Sequence, residues 1–153
     1  MRGAFAVVSF AATLLLAACG GGEDADSGKM RLTLTNDGCT YEGTKTPEVP
    51  MFTIAVENQT GYFGAFALGS IAGNSTIDDL EPYLDEAQEQ FQRGGTLPNW
   101  PPFYEQVVRA GADAGSSSFL PASVPAGRYA LVCFVDDLPT WKVYAAAQLD
   151  VTG

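Results

Sequence analysis

The sequence contains no histidine, and only 8 of its 153 residues are lysine or arginine. Without an imidazole, the usual general base for a serine or cysteine nucleophile is missing, which argues against most hydrolases. The 18 acidic residues give a net charge of −10. Nucleic acid and anionic lipid headgroups both require a basic surface, so neither is expected as a partner. We expect a protein that is not an enzyme.

Cysteine is also scarce, and the first of the three follows an apolar run. Met1-Arg2 gives a short positive start, and Ala4 to Ala18 is uncharged and too short for a comfortable membrane span. Leu16-Ala17-Ala18-Cys19 resembles a bacterial lipobox, in which the cysteine is diacylated and becomes the first mature residue. The resemblance implies a lipoprotein signal peptide over 1–18 and lipidation of Cys19. The alternative is an ordinary cleaved signal in which this cysteine is incidental.

A glycine-rich and acidic stretch follows Cys19. Residues 20–28 hold no large apolar side chain, so they cannot bury enough surface to offset chain entropy. We predict a flexible tether over 19–28 and one folded domain over 29–153. Removing Arg2 with the signal leaves 18 acids and seven bases, a net charge of −11. The predicted location is the cell membrane or cell envelope, on the extracytoplasmic side, with a lipid anchor in the membrane.

The two remaining cysteines are Cys39 and Cys133. In an exported chain an isolated pair favours a disulfide. Such a bond would close a loop across most of the domain, which the chain-entropy model values at roughly 4–5 kcal/mol. Two free thiols, or one thiolate bound to a metal, are the other possibilities.

Strict alternation of apolar and polar residues predicts strands at both ends of the domain. Deeper burial is expected for the aromatic stretch 62–71, and Gly127 to Cys133 is predicted to bury Tyr129, Leu131 and Cys133 on one face. The alternating segments are Met30 to Thr35, Phe52 to Glu57 and Trp141 to Val151. Five to eight short strands separated by turn residues predict an all-β, two-sheet sandwich.

One segment has the period of a helix instead. Leu80, Leu84, Ala87 and Phe91 fall on a single helical face, which predicts a helical insertion at about 76–93. Pro82 suits the first turn of a helix but not its middle. We therefore expect a short turn over 76–80 and regular helix only from about 82 to 93.

Gly127-Arg128-Tyr129, with Cys133 four residues after the tyrosine, resembles the C-terminal part of cupredoxins. Phe52 to Asn58 is similar to the cupredoxin strand that precedes the first copper histidine. Together with Asp37 to Gly43, these motifs most resemble bacterial lipoproteins with cupredoxin-like domains. The resemblance implies a cupredoxin-like Greek-key β-sandwich, acting as a membrane-anchored binding or structural module.

The copper ligands of that family are missing here. Copper-binding members carry a histidine shortly after the cysteine, where this chain has Asp136, and another near the position of Gly64-Ala65. A blue-copper centre needs two imidazoles and a thiolate, so we expect no metal site and no cofactor. Cys133 is then available to Cys39. The alternative function is a redox or metal-handling accessory protein, in electron transfer or metal delivery.

The candidate binding surface is aromatic. Trp100, Phe103 and Tyr104 lie in a proline-rich segment, and Trp141 follows the Asp136-Asp137 loop where cupredoxins carry their active end. Aromatic side chains on a rigid loop are typical of a binding patch for a protein or small ligand, of unknown identity here. Alternatively, the segment folds back over the open end of the sandwich as a plug.

Overall fold

The computed structural model describes residues 29–94, 99–135 and 141–153. Within these ranges the chain forms eight strands, with one helix between the fourth and the fifth. The elements are β1 Met30–Thr35, β2 Gly38–Glu42, β3 Phe52–Asn58, β4 Gly64–Ile71, α1 Ile77–Gln92, β5 Tyr104–Ala112, β6 Ser117–Ala122, β7 Gly127–Val135 and β8 Lys142–Val151. The predicted signal peptide, the tether with Cys19, and the Asp136-Asp137 loop lie outside the described residues.

The strands form two four-stranded sheets. The first has the order β2-β1-β3-β6 and the second the order β5-β4-β7-β8. β1 runs parallel to β3, and the other neighbours are antiparallel. The chain passes from one sheet to the other after β3, after β5 and after β6. The predicted all-β sandwich with one helical insertion is therefore confirmed.

The main core lies between the two sheets and follows from the period-2 pattern. Alternate side chains of each strand point inward, because successive residues of a strand face opposite sides. In β1 these are Met30, Leu32 and Leu34, all buried, while Arg31 faces solvent. Strands β3, β4, β6, β7 and β8 contribute in the same way. The contiguous apolar interior is what holds the sheets together.

Strand β7 is buried on both faces, whereas the sequence predicted burial of one face only. Tyr129, Leu131 and Cys133 point into the main core, as expected. Ala130, Val132 and Phe134 point the other way and are equally inaccessible. Helix α1 covers this outer face through apolar side chains, chiefly those of Leu80 and Leu84. The second sheet is therefore the middle layer of the domain.

Helix α1 is continuous, so the predicted division into a turn and a later helix was wrong. The carboxylate of Asp79 accepts a hydrogen bond from the backbone N–H of Thr76 at 2.8 Å, which fixes the first turn. Pro82 lies inside the helix and removes one backbone donor. Packing of Leu80 and Leu84 against the second sheet outweighs that loss. Among the described residues no helix is long and apolar enough to cross a membrane.

The strand predicted over 62–71 begins only at Gly64. Tyr62 and Phe63 belong to the preceding turn and are 40% and 43% exposed. The backbone carbonyl of Tyr62 accepts a hydrogen bond from the Asn58 amide at 2.7 Å, which holds the turn outside the sheet. Aromatic character alone therefore did not indicate burial here.

A disulfide joins Cys39 of β2 to Cys133 of β7, as the sequence predicted. It links an edge strand of the first sheet to an inner strand of the second, with the two Cα atoms 6.2 Å apart and 94 positions apart in sequence. Cys133 is completely buried and Cys39 is partly exposed. The bond therefore acts across the main core.

Replacing both cysteines by alanine is expected to lower the free energy of unfolding by about 4 kcal/mol, because the unfolded chain loses a long closed loop. Urea unfolding of the two proteins measures the difference. Adding a reducing agent should destabilise the natural chain and leave the double variant unchanged. Equal stability of the oxidised natural chain and the variant would contradict a stabilising bond.

Candidate functional site

An aromatic cluster covers the outer face of the second sheet. The ring centroid of Trp100 lies 4.8 Å from that of Tyr104 and 6.2 Å from that of Phe134. Trp141 lies 6.2 Å from Phe134 and 5.4 Å from Phe91 of α1. These distances are typical of packed aromatic pairs. The aromatic segment before β5 thus joins α1 in covering this sheet.

The four residues of the predicted binding surface are not equally accessible. Tyr104 and Trp141 are buried, with 4% and 7% of their surface exposed. Phe103 is half-buried, and Trp100 remains 41% exposed. Two of the four are therefore core residues, and only Trp100 and Phe103 reach the surface. The segment does fold back on the sandwich, but over a sheet face.

Helix α1 adds a residue that sequence reasoning missed. Tyr83 is 41% exposed, and its ring meets Phe103 edge-on with centroids 5.9 Å apart. It follows Leu80 by three positions, at the margin of the buried helix face, and that spacing was the available signal. We call the surface formed by Tyr83, Trp100 and Phe103 the aromatic patch.

Two glycines make room for aromatic rings on this sheet. A Cβ atom on Gly69 of β4 would collide with the Tyr104 ring, and one on Gly111 of β5 would collide with the Phe63 ring. Only a residue without a side chain allows either ring to lie so close to the strand. The sheet surface is therefore shaped to receive them.

The hydroxyl of Tyr104 is the one buried side-chain polar atom without a hydrogen-bond partner in the described part of the chain. Burial raises the pKa of this phenol, and the charge of Arg109 opposes that shift only in part. The group therefore stays neutral across the physiological range. The guanidinium of Arg109 also lies 5.2 Å from the ring centroid of Phe134, within cation–π range.

A closed hydrogen-bond network surrounds Asn58, where β3 ends. Its side-chain N–H group donates to the carbonyls of Tyr62, Ala112 and Asp113 at 2.7, 3.0 and 3.1 Å. Its side-chain oxygen accepts from the backbone N–H and the hydroxyl of Thr60 at 3.0 and 2.7 Å. Both side chains are buried. The network ties the end of the first sheet to strand β5 of the second.

This network fills the end of the sandwich at which the sequence resemblance placed the first copper histidine. A Cβ atom on Gly64 would lie 2.9 Å from the Asn58 amide, so the strand and the amide are in close contact. From the sequence, Asn58 was recognised only as the last residue of the strand that begins at Phe52. Its position directly after an alternating strand, two residues before Thr60, was the signal for a buried polar group.

The residues present do not fit a blue-copper centre. Such a site requires a thiolate, but the Cys133 sulfur is in the disulfide with Cys39, and the chain has no imidazole. Among the described residues there is also no group of three or more cysteine, aspartate or glutamate side chains placed to hold a metal ion. The chain therefore lacks the ligand set of a blue-copper site.

An open groove of about 270 Å³ lies between α1, β2 and β8. Cys39 contributes to its wall, so one end of the disulfide is reachable from solvent. Glu81 and Asp85 of α1 face it, opposite Tyr144 of β8. The hydroxyl of Tyr144 donates to the backbone carbonyl of Asn36 at 3.1 Å, which helps hold the turn before β2 in place.

No protein-family model and no curated protein matches this chain. Similar solved structures include a dithionite-reduced auracyanin from the photosynthetic bacterium Roseiflexus castenholzii, with 17% identity and a TM-score of 0.39 over 76% of this chain and 94% of that one. Another is auracyanin B, with 15% identity and a TM-score of 0.39 over 83% and 90%. Similarity at this level concerns the cupredoxin-like fold and carries no conclusion about copper, redox activity or partners.

The Asn58→Ala substitution is expected to lower the free energy of unfolding by about 3 kcal/mol, because it leaves several buried groups without partners. Asn58→Asp should cost more, since it would also bury a negative charge against three carbonyl oxygens. Gln59→Ala is the matched control, because that exposed side chain donates only to the carboxylate of Glu57 near the end of β3. Urea unfolding measures all three; equal loss at positions 58 and 59 would contradict the network's importance.

Proposed function

We propose that this protein is a membrane-anchored, extracytoplasmic binding module with a copper-free cupredoxin-like domain and no enzymatic activity. The fold in general supports a redox or a binding module. The observation that favours binding is the aromatic patch. Trp100 stays 41% exposed although Tyr104 and Phe134, on which it packs, are buried, and Tyr83 beside Phe103 is also 41% exposed. Exposed aromatics on a packed base are typical of protein interaction sites.

Three features support the copper-free part of the proposal. Cys133 is held in a disulfide, the sequence has no histidine, and Asn58 with its five hydrogen bonds fills the relevant end of the sandwich. A metal at this end would require the network to open and the disulfide to break. Each change would lower the free energy of unfolding, and metal binding would have to offset that loss.

The direction of β1 supports a lipid tether at the end opposite Asn58. Met30 of β1 is aligned with Ile54 of β3, and Leu34 is aligned with Asn58, because the two strands are parallel. A tether joined at Lys29 therefore enters at one end of the first sheet, and the Asn58 network lies at the other. With Cys19 lipidated, that far end and the side faces remain available to partners outside the membrane.

A redox or metal-handling accessory, in electron transfer or metal delivery, is the second candidate. The observation in its favour is that Cys39 lines an open groove, which gives a small thiol access to the disulfide. Against it, Cys133 is completely buried, and the thiolate released there on reduction would be poorly solvated. The carboxylates of Glu81 and Asp85 would also repel an approaching thiolate.

Titration of the full chain with copper(II), in a nonionic detergent, is expected to show no stoichiometric binding and no intense copper–thiolate absorption band. Calorimetry and a visible spectrum measure both. The Cys39→Ala variant is the matched control: it frees Cys133, yet should still give no such band because the imidazoles are absent. Stoichiometric uptake with that band in the natural chain would overturn the copper-free proposal and favour the second candidate.

Mass spectrometry of the protein from bacterial membranes is expected to find Cys19 as an acylated N-terminal residue. The acyl chains would hold the protein in the bilayer by burying their methylene groups, about 0.8 kcal/mol each. A Cys19→Ser chain should lack the acyl mass under the same conditions. An unmodified mature N-terminus in the natural protein would contradict the lipid anchor.

A further inference from the structure

The aromatic patch is held in position before any partner arrives. The Trp100 ring is supported by Tyr104 and Phe134, and the Tyr83 ring by Phe103. Pro101 and Pro102 restrict the backbone between Trp100 and Phe103. Side chains that are already ordered lose little entropy on binding, which favours them as anchors.

Helix α1, which carries Tyr83, gives one side of this patch a negative charge. Its sixteen residues include six carboxylates, all exposed, and no lysine or arginine. Asp79 and Glu86 lie four positions before and three after Tyr83, so they share its side of the helix. The six carboxylates are those of Asp78, Asp79, Glu81, Asp85, Glu86 and Glu89.

Helix stability accounts for only part of this charge. Asp78 and Asp79 in the first turn suit the positive end of the helix dipole, and Asp79 also bonds Thr76. Glu86 and Glu89 lie towards the other end, where acids are unfavourable. Each has one contact within the helix: Glu86 accepts a hydrogen bond from the Gln90 side chain at 2.8 Å, and Glu89 lies 3.6 Å from the exposed Arg93. Such exposed contacts offset little of the negative charge, which stays available to a partner.

The opposite side of the patch carries a cation. Arg109 of β5 lies over Phe134. Glu105 directly follows Tyr104 in β5, and because successive residues of a strand face opposite sides, it points away from the Tyr104 ring. The patch therefore has a negative side along α1 and a positive charge, that of Arg109, on the side of β5. A partner that complements it would place cations over the helix and an apolar group over Trp100.

We propose that the aromatic patch docks a protein that presents an apolar side chain beside a cluster of lysine or arginine. The inference rests on the proposed function as a binding module and names its partner class. A second copy of this chain would bring two acidic helices together, and an anionic membrane would be repelled by α1, so charge disfavours both occupants. Opposite charge on a partner would speed its approach and fix its orientation.

The test uses two synthetic peptides and the full chain in a nonionic detergent. One peptide has two central leucines flanked by three lysines on each side, and the other has glutamates in place of the lysines. Calorimetric titration is expected to show at least tenfold tighter binding of the lysine peptide, weakening as salt is added. Equal affinity for both peptides would overturn the proposal.

Variants show whether binding occurs at the patch. Trp100→Ser is expected to weaken the lysine peptide about tenfold and Glu86→Gln about threefold, as for an anchor residue and a charge at its rim. The matched controls lie on the first sheet: Phe119→Ser removes a 66% exposed aromatic from β6, and Glu42→Gln removes a carboxylate from β2. Both controls should leave the affinity unchanged.

Equal losses in Trp100→Ser and Phe119→Ser would overturn the proposed site. Urea unfolding of each variant, compared with the natural chain, confirms that a lost affinity does not reflect a lost fold. The result is independent of the copper titration. Copper uptake would overturn the copper-free function while a patch-dependent peptide affinity still stood, and failure of the peptide to bind would leave the copper-free module untouched.

Discussion

The domain depends on one covalent contact between its two sheets. The disulfide joins a short edge strand, β2, to an inner strand, β7, and it does so through the main core. Without it, β2 would be held in the first sheet by β1 alone among the described strands. The same bond occupies both cysteines of the described residues, so neither is free as a metal-binding thiolate. A single pairing therefore supports the structure and decides the chemical state of both sulfurs.

Many of the aromatic residues of this small protein cover the outer face of the second sheet. The inner face of that sheet meets the first sheet, and its outer face would be exposed without α1 and the segment that ends at Tyr104. Large rings cover such a face efficiently, since each buries much apolar area. The covering layer has its own surface, however, and Trp100 and Tyr83 remain partly in water there. A binding patch can thus arise from rings that first serve to cover a sheet.

The sequence predicted the elements whose patterns are local. Alternation at Met30 to Thr35 and at Phe52 to Glu57 located strands with the correct inward faces, and the 3.6-residue period located α1. It also paired Cys39 with Cys133, because an isolated pair of cysteines in a chain expected to be exported favours a disulfide. These features depend on neighbours in sequence or on a simple count, which is why they could be predicted.

What the sequence did not predict depends on contacts between distant segments. Tyr104 and Trp141 were expected at the surface. Trp141 is buried against Phe134 and Phe91, and Tyr104 lies over Gly69 of β4, all of which come from other elements. Asn58 ends an alternating strand in sequence and is a buried hub in the fold, since two of its partners are more than fifty positions away. Pro82 was expected to begin the helix, and packing of Leu80 against the second sheet extended the helix past it.

Gly69 and Gly111 determine where two aromatic rings of the outer layer lie. Each glycine leaves a hollow the depth of one methyl group in the sheet, which the ring of Tyr104 fills at Gly69 and that of Phe63 at Gly111. The height at which Tyr104 rests decides how far Trp100, packed beside it at a tilt, stands above the sheet. A single added carbon at Gly69 would lift both rings. Positions without a side chain thus determine the shape of the aromatic surface above them.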